Sequence, residues 1–330
     1  MTRAGTVRRR AVLAATLAAG GTLAIPSILR ADVYPSKPVR VVNAYSAGGT
    51  ADVICRIYCQ VLSARFGQSF TVDNKPGAAG TLAAGIVAHA PADGYTLLYD
   101  ATAQSVNPSL FVGKLPYDTK KDFAPIFLTM RAPNTLMRNA QFEAHTIPEL
   151  IAIAKAKPGS LDCASTGIGT VQHVSIELLN QMAGIKINHV PYREISTARS
   201  DLFAGRIPLH FVNVPSTVAF KTSKEMTCMA HTGPEPVAVL PGVPAIADTL
   251  PGFVTWEWNG LFAPAKTDNG LVTRLNGELN QILQDAATQK RLDELGALTK
   301  ANTVAEFTAF RDQQIAFFAE IVKTANIHIE

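Results

Sequence analysis

From Val39 onward the chain alternates between short β-branched runs and longer stretches whose apolar residues fall three and four apart. Val39, Val41 and Val42, continued by Asn43 and Ala44, predict a strand entering a core. From Ala51, the residues Val53, Ile54, Ile57, Val61 and Leu62 recur at helical spacing. Phe70 to Asn74 predicts a second strand, closed by the turn Lys75-Pro76-Gly77. Gly80 to Ala90 predicts an Ala-rich helix, broken by Pro91 and Asp93-Gly94, and Tyr95 to Tyr99 a third strand. Strand, helix, strand, helix, strand at this spacing predicts an α/β protein with a mostly parallel sheet and right-handed crossovers.

Phe123 to Met137 predicts extended chain with a break at Pro133, carrying the polypeptide into a second lobe. Thr146 and Glu149 form a capping-box pattern that opens a helix ending near Lys157-Pro158-Gly159. Leu161 to Ser165 predicts a strand, and Val174, Ile176, Leu178 and Leu179 a helix beyond the turn that follows it. Further strands are predicted over 185–190 and 207–212, with a helix over 198–205 between them and a helix end and strand over 220–231. The segment 253–262, with Trp256 and Trp258, predicts a return to the first lobe. The remainder is helical. Leu271, Val272, Leu275, Leu279, Ile282 and Leu283 share one face. A capping box at Thr303 and Glu306 leads into a last helix with Phe307, Phe310, Phe317 and Ile321 on its apolar side.

Two strand-to-helix turns carry the candidate chemistry. The first runs Tyr45-Ser46-Ala47-Gly48-Gly49-Thr50, with Asp52 in the first helical turn; the second runs Ser165-Thr166-Gly167-Ile168-Gly169-Thr170. In each, glycines let backbone approach a ligand, and the first helical N–H groups lack internal partners. The helix dipole adds to their attraction for an anion. Thr50 is the expected cap of the first helix. Neither turn is a nucleotide loop: Gly167-Ile168-Gly169 is followed by Gln172 where a third glycine would stand, and no GxxxxGK[ST] occurs. His173 falls in the first turn of the second helix, placed to meet a ligand or to shape the turn. The segment 100–108 follows the third strand, at the carboxyl ends where open α/β sheets place ligands. Thr102, Gln104 and Ser105 are candidate contacts there.

Composition changes this picture little, and charge changes it once. Of 30 basic residues, five arginines lie in residues 1–31, which hold no acid; 25 basic against 26 acidic residues remain beyond them, a net charge of −1. That balance gives no nucleic-acid surface. The basic stretch ending Arg8-Arg9-Arg10, then AVLAATLAAGGTLAIPSIL and Ala31, predicts an export signal over 1–31, cleaved near Ala31–Asp32. Both the twin-arginine and the general secretory route fit it. Its alanines, glycines and Pro26 make it a poor membrane span, and a soluble exported mature protein is expected. The cysteines, Cys55, Cys59, Cys163 and Cys228, show no metal spacing; Cys55 and Cys59 suit helical neighbours better than a disulfide, and buried apolar roles outweigh a Cys163–Cys228 bridge. No metal and no cofactor is expected.

In order along the chain, Tyr34-Pro35-Ser36-Lys37-Pro38-Val39-Arg40, Ala47-Gly48-Gly49-Thr50-Ala51-Asp52, Asp73-Asn74-Lys75-Pro76-Gly77, Ala92-Asp93-Gly94-Tyr95-Thr96-Leu97-Leu98, Gly167-Ile168-Gly169-Thr170 with His173, His189-Val190-Pro191-Tyr192 and Trp258-Asn259-Gly260-Leu261-Phe262-Ala263-Pro264 form a set. That set resembles the periplasmic solute-binding proteins of tripartite tricarboxylate transporters, the Bug receptors, over essentially the whole mature chain. The resemblance implies a two-lobed Venus-flytrap fold, with lobe 1 from 32–131 plus 254–330 and lobe 2 from 132–253. It implies a ligand carboxylate held between the two glycine turns, a loop from Ala101 to Ser105 meeting the variable part of the ligand, and contributions from Tyr192 and Asn213. It also implies membrane permease subunits as partners and a monomeric mature protein. Three departures bear on the transfer: Ser46-Ala47 before the paired glycines, Arg193-Glu194 after Tyr192, and the segment 223–232.

A non-enzymatic binding protein for a small carboxylate therefore ranks first. A sensory binding protein signalling through a membrane partner shares the same site. An exported hydrolase, with His173 as base near Thr170 or Ser165, ranks last, since no GxSxG and no HExxH occurs.

Overall fold

The computed structural model describes residues 34–192, 194–218, 224–325 and 327. The expected export signal, Arg193 and residues 219–223 lie outside the described residues. The first predicted units form as read: β1 (Val39–Asn43), α1 (Thr50–Phe66), β2 (Phe70–Asn74), α2 (Thr81–Ala88) and β3 (Thr96–Ala101). β1 pairs in parallel with β2 on one side and β3 on the other. Between Gly77 and Gly80 the backbone stays at positive φ, including Ala78 at 45° and Ala79 at 51°, so α2 begins after a tight left-handed turn.

The segment after β3 is not a loop. Helix α3 (Ala103–Leu110) starts two residues past the strand and accommodates Pro108 near its end. β4 (Phe123–Asn139) runs unbroken through Pro133, but that residue marks where its partners change. Up to Pro133 it pairs antiparallel with β9 (Trp256–Pro264); from Asn134 it pairs with β7 (Leu209–Asn213), and from Thr135 with β8 (Met226–His231). A residue without an N–H fits at such an exchange.

Beyond β4 come α4 (Ile147–Ala156), β5 (Leu161–Ser165), α5 (Val171–Ala183), β6 (Ile187–Pro191), α6 (Ile195–Phe203), and α7 (Val214–Val218) directly after β7. β5 lies parallel between β6 and β7. The order through the whole sheet is β2-β1-β3-β9-β4-β7-β5-β6, with β8 on β4. Each half thus has a parallel core joined through antiparallel β4, a mixed α/β sheet with helices against it. Three helices close the chain: α8 (Asn269–Ile282), α9 (Ala286–Glu294) and α10 (Val304–Thr324).

Local signals set these helix ends. Thr146 accepts the Glu149 N–H as expected, while the Glu149 carboxylate reaches one residue further back, to the His145 N–H at 2.7 Å. Thr303 and Glu306 form the full reciprocal box.

In the first half, buried Trp258 packs on Phe262, Phe307 and Phe310. Gly260 is required there, because a Cβ would sit 2.3 Å from the Phe307 ring. α10 serves both halves. Phe307 belongs to that aromatic core, whereas Phe318, Ile321 and Val322 pack in a cluster with Leu150, Leu178 and Leu179. Phe317, expected on the apolar side, is instead 37 % exposed, and Phe318 takes the buried place. All four cysteines are free thiols; the Cys55 and Cys59 sulfurs are neighbours at 3.9 Å within α1.

Candidate functional site

The chain leaves β1 at Asn43 and turns through 44–49 before α1. Asp52 holds that turn from beneath. Its buried carboxylate accepts hydrogen bonds from the Gly48 N–H at 2.9 Å, Arg56 Nε at 2.9 Å, Asn74 Nδ2 at 2.8 Å and Asn43 Nδ2 at 3.4 Å. Burial alone would raise its pKa, but the bonds from Arg56, Gly48 and Asn74 outweigh it and hold the carboxylate below its ordinary range. Asp52 is thus occupied in shaping the turn.

Thr50 does not cap α1. The N-cap is Gly49, at the extended φ of −75° and ψ of 167° that a cap needs, with no side-chain cap bond. Thr50 is already helical, and its hydroxyl crosses to the other half of the sheet. There it donates to Asn213 Oδ1 at 3.4 Å and lies 3.3 Å from Ser216 Oγ. Asn213 Oδ1 also accepts the Ser216 N–H that opens α7. Ser46, Ala47 and Gly48 are exposed, Gly48 at φ +80°. The N–H groups of Thr50, Ala51 and Asp52 have no partner among the described residues.

The second turn is stitched more tightly. The enclosed Ser165 hydroxyl lies 3.1 Å from both the N–H and the C=O of Gly167 and 2.5 Å from His189 Nε2. Thr170 caps α5, accepting the His173 N–H, and its own hydroxyl donates to the Gly167 carbonyl at 2.8 Å. His173 Nδ1 accepts the Gly169 N–H at 3.2 Å, and its ring stacks on His189 at 3.8 Å. Burial pushes His173 down to about 4; burial and the neighbouring His173 push His189 down to about 3. Both imidazoles are therefore neutral at pH 7, and His173 shapes the turn. Gly169 sits at φ +78°, and a Cβ there would lie 2.4 Å from Leu110 of α3, so this turn closes directly against the first half.

Between the turns stands β9. Thr102, at the start of α3, accepts the Trp258 N–H at 3.0 Å and donates to the Trp256 carbonyl at 3.4 Å. Glu257, the residue between, accepts from Gln172 Nε2 at 3.1 Å at the start of α5. Gln172 is held in turn by Asn134 at 2.8 Å and by the Thr166 hydroxyl at 2.9 Å. The starts of α3 and α5 are thereby gathered around one short stretch of strand, while the start of α1 is tied to β7 and α7 through Thr50.

Beneath them is a buried polar cluster. Asp100 Oδ2, both amide atoms of Gln104, Ser105 Oγ, Tyr117 Oη and both amide atoms of Asn259 have no partner among the described residues. Burial raises Asp100 to about 7, with the Ala101 N–H at 2.8 Å and the neighbouring Gln104 and Tyr45 side chains offsetting part of it. Burial likewise raises Glu257 to about 7, and burial with the charges of Asp100 and Glu257 raises Tyr45 well above its ordinary value. Glu257 keeps partial exposure yet is ringed by protein, which is why it behaves as a desolvated group.

Of the expected site residues, Tyr45, Thr50, Ala101, Thr102, Ser105, Thr166, Gly169, Thr170 and Asn213 fall around this junction. Tyr192 is more peripheral: its hydroxyl donates to Asp201 at 2.8 Å, and its N–H bonds the Ser165 carbonyl. Glu257, Gln172, Asn134 and Ser216 were not anticipated. The one sequence signal for Glu257 is its place directly before Trp258-Asn259-Gly260.

Residues 54–327 match the profile of the tripartite tricarboxylate transporter family receptor. A protein of Pseudomonas sp. strain P51, the UPF0065 protein in the tcbD-tcbE intergenic region, is 36% identical over 295 residues, covering 89% of this chain and 87% of its own. Among solved structures, R. palustris Rpa4515 with adipate superposes with a TM-score of 0.83 at 30% identity, over 89% of this chain and 99% of that one. MatC from Rhodopseudomonas palustris with bound malate gives 0.79 at 29%, over 88% and 100%. The fold is the two-lobed one of periplasmic binding proteins, and the chain belongs to the tripartite tricarboxylate transporter receptor family.

Proposed function

We propose that this protein captures a small organic carboxylate between its two lobes and delivers it to the membrane permease subunits of a tripartite tricarboxylate-type transporter. The observation that carries this reading is the unpartnered N–H row of Thr50, Ala51 and Asp52 at the start of α1, beside the turn from which Tyr45 meets Asp100 and Glu257. A helix N-terminus with open N–H groups makes a site for negative charge without any lysine or arginine. Relatives that bind adipate and malate support the same chemistry. In this reading lobe 1 comprises 32–131 plus 254–330 and lobe 2 comprises 132–253. The Thr50–Asn213 bond spans them, and closure needs only tighter ligand binding in the closed state. The backbone of Ser46 to Thr50 and of Thr166 to Thr170 holds the carboxylate, with Thr102 and Ser105 toward the rest of the ligand.

The site works by binding, not by catalysis. Its serine–histidine contact, Ser165 with His189, is enclosed, and the hydroxyl is spent on Gly167. Residues 1–31 act as the export signal, and the mature chain is periplasmic and monomeric; no described helix is long and apolar enough to cross a membrane.

A thermal-shift screen of carboxylic acids, on protein unfolded and refolded to strip carried ligand, tests the proposal. Binding raises the melting temperature by mass action. A shift with an acid and none with its amide is expected. No shift with any acid would overturn it.

A further inference from the structure

The carboxylate reading leaves one acidic side chain of the cleft unused. Glu257 projects from β9 between the starts of α3 and α5. Its Oε2 accepts from Gln172, and its Oε1 accepts from nothing among the described residues. Gln172 cannot turn away to leave Glu257, because Asn134 and Thr166 fix its amide from behind.

The charged and titratable groups around Glu257 offer it no cation. Tyr45 faces it from the first turn and Asp100 lies beyond Tyr45 on β3, both acidic or neutral; His173 on α5 is neutral. On the adjacent strand, Arg131 lies opposite Trp258 and over the Trp256 ring, while Ala132 lies opposite Glu257. Successive strand residues point to opposite faces, so the guanidinium is on the other side of the sheet.

We propose that Glu257 selects a ligand bearing an ammonium group, so that this receptor takes amino carboxylates in preference to dicarboxylates. The inference rests on the carboxylate reading above. With the ligand carboxylate on the free N–H groups at the start of α1, its other polar end meets the bare oxygen of Glu257. An ammonium there supplies the missing donor and the missing positive charge. A second carboxylate would face a like charge on a carboxylate walled in by protein, which acts as rejection and not merely as weaker attraction. The buried amide of Asn259, with its donor and its acceptor unpartnered among the described residues, suits a polar ligand end and its waters better than an alkyl tail.

The test uses calorimetric titration of the purified protein at pH 8 with two matched trios: 4-aminobutanoate, succinate and butanoate; and 6-aminohexanoate, adipate and hexanoate. The expected result is that in at least one trio the amino acid binds ten-fold or more tightly than its diacid. In Glu257→Gln, which keeps the shape and removes the charge, that ratio should fall at least ten-fold. Tighter binding of the diacids by the unaltered protein, or a ratio unchanged in E257Q, overturns the proposal. If the variant fails to fold, the ratio in the unaltered protein decides alone. Absence of binding by any carboxylate, in this and the wider screen, would instead overturn the carboxylate reading, and this inference with it.

Discussion

The two glycine turns look alike as sequence and are built by opposite means. The first is held by a full charge: Asp52, buried beneath it, gathers Gly48, Asn43, Asn74 and Arg56. The second is held by neutral groups, with Ser165, Thr170, His173 and His189 tying its own backbone together. Because the first turn is braced from below, its helix needs no side-chain cap and leaves three N–H groups open. The second spends one of its first-turn N–H groups on Thr170 and another backbone N–H on His173. A motif of strand, glycines and helix thus defines where an anion can sit, while the bracing decides how many donors stay available to it.

The strongest way to break this contrast is Asp52→Ala. It removes an acceptor of four hydrogen bonds, one from a charged donor, and should cost about 2–3 kcal/mol of stability with a loss of ligand affinity above ten-fold. Chemical denaturation and calorimetry measure both; unchanged values would remove Asp52 from its bracing role.

A second comparison sets Gly169→Val against Gly49→Val. Gly169 is at φ +78° and against Leu110, so the valine should cost at least about 1–2 kcal/mol and lower the melting temperature. Gly49 has an ordinary φ and open space, with the Ser46 carbonyl 3.5 Å from a built Cβ. Its valine should cost less than about 1 kcal/mol yet weaken ligand binding, by crowding the approach to the N–H row. Equal melting temperatures would contradict the difference in packing.

The same contrast can be tested with pH. His173 and His189 titrate near 4 and 3 in the folded protein, below their ordinary value near 6.5. The unfolded chain therefore binds more protons between those values, and stability present above pH 6.5 is lost as pH falls toward 4. Asp52, held low, keeps its contribution until the pH drops below the ordinary carboxylate value near 4. Asp100 and Glu257 act in the opposite sense, costing stability as pH rises from about 4 to 7, so the useful measurement is a difference. His189→Asn should flatten the melting-temperature decline between pH 6.5 and 4. A decline as steep as that of the unaltered protein would show that the second turn is not the acid-sensitive one.

Much of this was legible from local chemistry. The capping residues Thr146 and Thr303 act within four residues of their targets, and the β-branched runs at Val39 and Phe70 pair as periodicity predicts. The cap of α1 was misread because Thr, Gly and Asp at 49–52 all suit the end of a helix; what moved Thr50 one place inward was a partner 163 residues away. Helix α3 hid behind its Pro108 and its polar residues, whose side chains are buried by contacts no local pattern encodes. Glu257 was invisible for the same reason, since its meaning comes from Gln172, 85 residues earlier.

Pro133 draws out a mechanical consequence. On one side of it β4 is bonded to β9, on the other to β7 and β8, with no gap in the strand. The halves are therefore joined by a continuous ribbon and not by a slack tether, and α10 is bolted across both. A motion of one half against the other would therefore have to flex that ribbon and shear that helix, as bending a leaf spring does, instead of turning about a loose joint.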